Sequence, residues 1–225
     1  MFSNYKIIDL SLLIKEGMQT FNAPWHPKVK IKQLSTHEKN YRETRKIEIG
    51  THTGTHIDAP KHFIKNGKSI DKIKLNQIVG EATIINFSNL SNLHKITKIE
   101  LIKKINNKKI DRLIVRFDWD KKYNTRSYYT KHPYFSEEAC KWLANNGCKI
   151  LGIDTPQPDN PINNSGIKSK LAPNHKILLS KNIVILEYLA NLRKINKKNF
   201  FLITAPLNIY EADGSPTRCF AIVEK

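Results

Sequence analysis

Seven short runs rich in isoleucine and valine recur along the chain, at 46–49, 82–87, 113–117, 150–153, 183–189, 201–204 and 219–223. Runs of this length and composition read as β-strands. Two helices stand between them. Thr97-Lys98-Ile99-Glu100 is a capping box, in which a hydroxyl and a carboxylate satisfy amides of the first turn, and Ile99, Ile102 and Ile105 follow at a spacing that can line one face. Ser136-Glu137-Glu138 opens the second helix with acids at the positive end of its dipole; Ala139, Trp142 and Leu143 are expected inward and Gly147 as the stop. Each helix leads directly into a strand, and strands outnumber helices. The expected architecture is therefore a mixed α/β sheet rather than a helix bundle or a regular doubly wound sheet. No repeat, linker or composition break divides the chain, so residues 1–225 are expected to form a single domain.

The net charge of +18 raises nucleic acid and anionic membranes as partners. Only seven of the 38 cationic side chains are arginine, however, and the lysines are spread among isoleucines and asparagines. Base-reading surfaces use arginine forks, and stacking platforms interleave aromatics with cations. Neither pattern is present, and the densest stretch, 95–109, reads as the solvated face of a helix. No run approaches the roughly 18 apolar residues of a membrane span, and the first nine residues lack the pattern of a secretory signal. Cys140, Cys148 and Cys219 are odd in number and lack C-x-x-C spacing, so reduced thiols and a cytoplasmic location are expected.

The segment His52-Thr53-Gly54-Thr55-His56-Ile57-Asp58-Ala59-Pro60-Lys61-His62-Phe63 stands apart from this background. It gathers three of the eight histidines and an aspartate within eleven positions. Imidazoles with a carboxylate are the usual ligands of zinc, manganese or iron at catalytic sites. Residues 52, 56, 58 and 62 share parity, so an extended backbone points them to one side, whereas Gly54 and Pro60 oppose a helix. A straight strand at ~3.3 Å per residue would hold positions 52 and 58 about 20 Å apart, too far to grip one ion at ~2.1 Å from each ligand atom. The backbone must curl, with bends expected at Gly54 and Pro60. Farther along, Glu187 interrupts an apolar run, where a buried carboxylate needs a cation. His175 could join it at an ion; a lysine partner or an outward-facing edge position serves Glu187 as well.

The segment from His52 to Phe63 resembles the signature of the cyclase family of metal-dependent hydrolases, which includes bacterial kynurenine formamidase (arylformamidase) and isatin hydrolase. The resemblance extends from Ile8-Asp9-Leu10-Ser11 and Gly17-Met18 through Gly152-Ile153-Asp154-Thr155-Pro156, His175 and Ile185-Leu186-Glu187 to Asp213-Gly214-Ser215-Pro216-Thr217-Arg218. It implies a swivelling β/β/α fold, usually as a homodimer or larger assembly such as a homotetramer. It further implies that His52, His56 and Asp58 bind one divalent metal, zinc or else manganese, and that Asp58 bridges to a second held by His175 and Glu187. His62 would act beside them as acid and base. The chain departs from the family pattern around Pro24-Trp25-His26-Pro27 and at Gln157, segments that shape the pocket. Phe21 and Trp25 are candidates for an aromatic wall against a planar substrate, or else simply core.

The expected activity is metal-assisted hydrolysis of a formamide C–N bond, as in kynurenine formamidase, with a lactam such as isatin or another amide as the alternative substrate class. A serine triad lacks its G-x-S-x-G elbow, since Asn163-Asn164-Ser165-Gly166 reads as a turn, and phosphate-binding glycine loops are absent. A basic nucleic-acid-binding protein with a structural metal is the alternative of a different class.

Overall fold

The computed structural model describes residues 4–162 and 172–225, which leaves the sequence at 163–166 outside the described residues. Among the described residues, twelve strands alternate with helices. The strands are β1 (Tyr5–Asp9), β2 (Lys30–Ser35), β3 (Thr44–Glu48), β4 (His56–Asp58), β5 (Gly80–Asn86), β6 (Lys95–Ile96), β7 (Arg112–Arg116), β8 (Tyr134–Phe135), β9 (Ile150–Ile153), β10 (Val184–Glu187), β11 (Asn199–Pro206) and β12 (Gly214–Glu224). The helices are α1 (His37–Asn40), α2 (Leu75–Ile78), α3 (Lys98–Ile105), α4 (Arg126–Thr130), α5 (Glu137–Asn145) and α6 (Pro173–Ser180). All seven runs read as strands fall within or across observed strands.

The main sheet runs β1-β12-β11-β5-β7-β9-β10-β4, and a further pairing of β4 with β12 closes it. β5, β7, β9 and β10 are parallel neighbours. The pairs β10–β4, β4–β12, β12–β11 and β11–β5 are antiparallel. Closure is possible because β12 is 11 residues long. One of its edges takes β4 beside Gly214–Pro216 and β1 beside Phe220–Glu224. Strands β2 and β3 form a separate exposed ribbon, and β6 pairs with β8.

Strand periodicity divides the apolar residues between two cores. Ile57, Ala82, Ile114, Ile150, Leu186 and Leu202 belong to one, which draws on every strand of the ring and fills it. Leu113, Val115, Leu151, Ile153 and Ile185, of opposite parity, pack with Leu101 and Ile105 of α3, Leu143 of α5 and Leu178 of α6 outside the ring. Thr97 does cap α3 by accepting from Glu100 N, while the Glu100 carboxylate accepts from Thr97 N. The expected inward face of α3 requires one correction. Ile99 is 78% exposed, and Leu101 with Ile105, one helical turn apart, carries the packing. In α5, Ala139 and Leu143 are buried as expected, Trp142 is half-buried and Cys140 joins them. The three cysteines are free and buried. Among the described residues no helix is long and apolar enough to cross a membrane.

One buried group outside the site ties stability to pH. His132 is fully buried, its Nδ1 donates to Pro133 O at 2.9 Å, and its Nε2 has no partner among the described residues. Burial pushes its pKa down to about 4. Below the ordinary value near 6.5 the unfolded chain binds a proton that the folded chain refuses. Stability is therefore full above pH 6.5 and falls by roughly 1.4 kcal/mol per unit toward pH 4, about 3 kcal/mol in all. Urea titrations from pH 7 to 4 should show His132→Leu losing less stability than the parent by that amount; parallel curves would refute the assignment.

Candidate active site

Gly54, at φ 61°, turns the backbone where an L side chain would be strained, and Pro60–His62 form a 3₁₀ turn. Between these two bends the chain enters the sheet as β4. Because Ile57 faces the ring interior, His56 and Asp58 face the helices. The register places Glu187 of β10 opposite His56, with Ile185 opposite Asp58, so Glu187 joins the same face. Helix α6 then lowers His175 onto this group from above. The register decides for Glu187 among the choices its sequence leaves: it is buried, and it meets His56 and His175 rather than a lysine.

Each ring is held by the nitrogen turned away from the cluster. His56 Nδ1 donates to Gly54 O at 2.7 Å, so Nε2 lies 3.2 Å from Asp58 Oδ1 and 3.4 Å from Glu187 Oε2. His175 Nδ1 donates to Asp159 Oδ2 at 2.5 Å, and its Nε2 lies 3.4 Å from Asp58 Oδ2 and 3.3 Å from Glu187 Oε1. His52 Nδ1 lies 2.7 Å from Asp58 Oδ1, and His52 Nε2 lies 2.8 Å from Asp213 Oδ2. His62 Nδ1 reaches the same Asp213 oxygen at 3.0 Å, and the His52 and His62 rings stand 3.8 Å apart. Thr55 Oγ1 donates to Tyr188 O at 2.6 Å and accepts from Leu12 N, which pins the signature loop to the end of β10. Gly214 must lack a side chain: a Cβ there would lie 2.7 Å from Ile57 O and 2.8 Å from His52 Cε1.

The electrostatics of the group call for positive charge. Burial works against charge on Asp58, but the His52 and His62 imidazoles, the His175 ring beside it and a hydrogen bond from His52 hold its carboxyl well below the usual range. Burial raises the Glu187 carboxyl, and the Asp58 charge raises it further. Burial disfavours a His52 cation, yet Asp58 and Asp213 on its two sides push it up to about 10. His62 moves the other way, since burial and the neighbouring His52 outweigh the attraction of Asp58.

A divalent cation fits these donors. Atoms held ~2.1 Å from one ion stand roughly 3.0–3.4 Å from each other, close to the spacings that His56 and His175 make with Asp58 and Glu187. Asp58 Oδ2 and Glu187 Oε1 are buried acceptors without a hydrogen-bond partner among the described residues. Orphaned buried carboxylate oxygens are costly unless a cation meets them. Of the four three-donor groups among the described residues, two, His52/His56/Asp58 and Asp58/His175/Glu187, share Asp58.

The group forms the floor of a pocket of about 210 Å³ that opens to solvent, a concave, partly aromatic site of the kind that takes a small organic molecule. Phe21, Trp25, Phe63, Gln157 and Tyr188 are among its walls, so both aromatic candidates line it, and Trp25 is 62% exposed at its edge. No lysine or arginine lines it among the described residues. Sequence reasoning passed over Asp159, which is fully buried and accepts from Asn174 N, His175 N and His175 Nδ1. Its only signal was the need of a buried imidazole for an acceptor at its far nitrogen.

Residues 8–160 match the family model described as "Putative cyclase". The kynurenine formamidase of Bacillus thuringiensis subsp. konkukian (strain 97-27) is 32% identical over 213 residues, which cover 94% of each chain. That of Bacillus anthracis is 31% identical over 215 residues, 95% of each. Among solved structures, isatin hydrolase A from Labrenzia aggregata bound to benzyl benzoate superposes with a TM-score of 0.87 at 24% identity, covering 99% of this chain and 95% of its own. A predicted metal-dependent hydrolase from Bacillus stearothermophilus gives a TM-score of 0.78 at 25% identity, covering 97% and 98%.

Proposed function

The chain belongs to the cyclase family, and from that membership and the geometry of its pocket we propose that it is a metal-dependent hydrolase of a C–N bond other than a peptide bond, acting on an aryl formamide as kynurenine formamidase does. The observation that carries this reading is the shared carboxylate Asp58, flanked by imidazoles on both sides and, with Glu187, bearing an unpartnered buried oxygen. In this proposal His52, His56 and Asp58 hold one divalent ion and Asp58, His175 and Glu187 a second, zinc or else manganese, since imidazole and carboxylate donors suit either.

When bound, such ions lower the pKa of a coordinated water toward ~7 and polarise a carbonyl. The protein supplies the rest. Asp159 and the Gly54 carbonyl fix the His175 and His56 rings through their far nitrogens, so the donors need no rearrangement. Phe21, Trp25 and Phe63 give a planar ring apolar surface to lie against. His62 lines the pocket beside the donors, with its Nε2 outside every hydrogen bond among the described residues. Its Nε2 takes up the proton released by the attacking water and passes it to the departing nitrogen, which leaves as a neutral amine instead of a strongly basic anion.

An aryl lactam of the isatin type fits the same walls and is the second substrate class. Elemental analysis of purified protein, paired with an absorbance screen on N-formylkynurenine and isatin, tests the proposal. We expect about two equivalents of metal per chain and turnover of the formamide. Turnover of isatin alone would move the protein to the lactam class, and turnover of neither would overturn both. A cytoplasmic location, consistent with free buried cysteines, and assembly as a homodimer or homotetramer belong to the same proposal; light scattering after size exclusion reads the latter.

A further inference from the structure

One carboxylate outside the five donors reaches two of the rings at once. Asp213 lies at the turn into β12, and its backbone O accepts from Ala59 N at 2.9 Å, which ties it to the signature segment. Its Oδ1 accepts from Thr51 Oγ1 at 2.9 Å. Its Oδ2 faces His52 Nε2 at 2.8 Å and His62 Nδ1 at 3.0 Å. A carboxylate only accepts, and a neutral imidazole carries one N–H. Hydrogen bonding to Asp213 therefore places the His62 proton on Nδ1 and leaves Nε2 with its lone pair. His52 faces a carboxylate on either side, Nε2 toward Asp213 and Nδ1 toward Asp58, so Asp213 makes no such choice there.

We infer that Asp213 is a positioning residue for the hydrolysis: it selects which nitrogen His62 offers to the substrate and orients that ring, while Thr51 holds the carboxylate in place. The inference rests on the hydrolase reading of the site and adds to it a pocket-lining residue outside the five donors that acts through the His62 ring. A solely structural Asp213 would pin the turn before β12 without affecting the His62 proton.

Asp213→Asn separates the two roles, because its amide can donate to Nδ1 and so favours the opposite tautomer. Two-bond ¹H–¹⁵N correlation spectra of the zinc-loaded protein distinguish protonated from bare ring nitrogens, with the His62 signals assigned by their loss in His62→Gln. The expected spectrum has His62 protonated on Nδ1 in the parent and on Nε2, wholly or in part, in Asp213→Asn. With zinc saturating, kcat on the formamide should fall about 10²–10⁴-fold and KM should stay within roughly threefold, as for a group acting through the base alone. In a His62→Ala background the same substitution should cost less than about threefold more. An unchanged His62 tautomer, or an equal loss of kcat in both backgrounds, would overturn the inference. Should Asp213→Asn fail to hold zinc, Thr51→Val, which frees the carboxylate to turn away from the ring while leaving it an acceptor, should lower kcat in the parent and not in the His62→Ala background; an equal loss in both would overturn the inference. The tautomer is read without turnover, so an enzyme inactive on every amide would refute the hydrolase reading and still leave Asp213 decided.

Discussion

Asp58→Ala is expected to emerge from purification without its metal and without measurable turnover. Asp58 Oδ1 lies near His52 and His56, and Oδ2 near His175, so one substitution strikes both donor groups. Each is left with two protein donors where catalytic sites use at least three. If the roughly 10–16 kcal/mol of a four-ligand zinc site is shared evenly, one ligand carries about 3 kcal/mol, a loss of about two orders of magnitude in affinity at each group. The substitution also removes the charge that raises the Glu187 carboxyl. The metal-free variant should therefore be no less stable than the metal-free parent by more than the cavity it leaves. Elemental analysis after gel filtration reads the first consequence, and the rise in melting temperature on adding zinc reads the second: large for the parent, close to zero for Asp58→Ala. A variant that keeps both metal and melting shift would remove Asp58 from the centre of the site.

How much of this site a sequence can disclose depends on the range of the forces that build it. The pattern at 52, 56, 58 and 62 was legible because alternation along a strand and the two bends at Gly54 and Pro60 are local. The strands of the ring were legible for the same reason, as was the Thr97 cap. Helix α6 was not. It buries Asn174 and His175 together with Leu178 and Leu179, and polar residues turned inward blur the apolar stripe by which a helix is recognised. Strand β4 was missed as a strand because it is three residues long and buried throughout, stabilised by neighbours on both edges rather than by its own alternation. Asp159 and Asp213 act on imidazoles 16 and 151 positions away. No spacing rule connects residues that meet only when the ring closes. Ile99 failed in the opposite sense, since three isoleucines fit a helical face and the packing chose Leu101 instead.

His62→Ala should behave unlike Asp58→Ala in one respect that identifies its role: metal stays while turnover falls about 10²–10⁴-fold. The ring belongs to neither group built on Asp58, and its own hydrogen bond goes to Asp213. Truncation thus removes proton transfer and leaves the donors in place. The loss should also depend on the leaving group. A formamide of an electron-poor aniline expels a less basic nitrogen, which needs protonation less in the transition state, so the ratio of parent to variant kcat should shrink as the aniline is made more acidic. A residue that only shaped the pocket would give one ratio across the series. Added imidazole, small enough for the space left by the ring, should restore part of the rate for the poor leaving groups and little for the good ones. A flat ratio together with no rescue would assign His62 to the walls of the pocket and leave the proton to be delivered by another group.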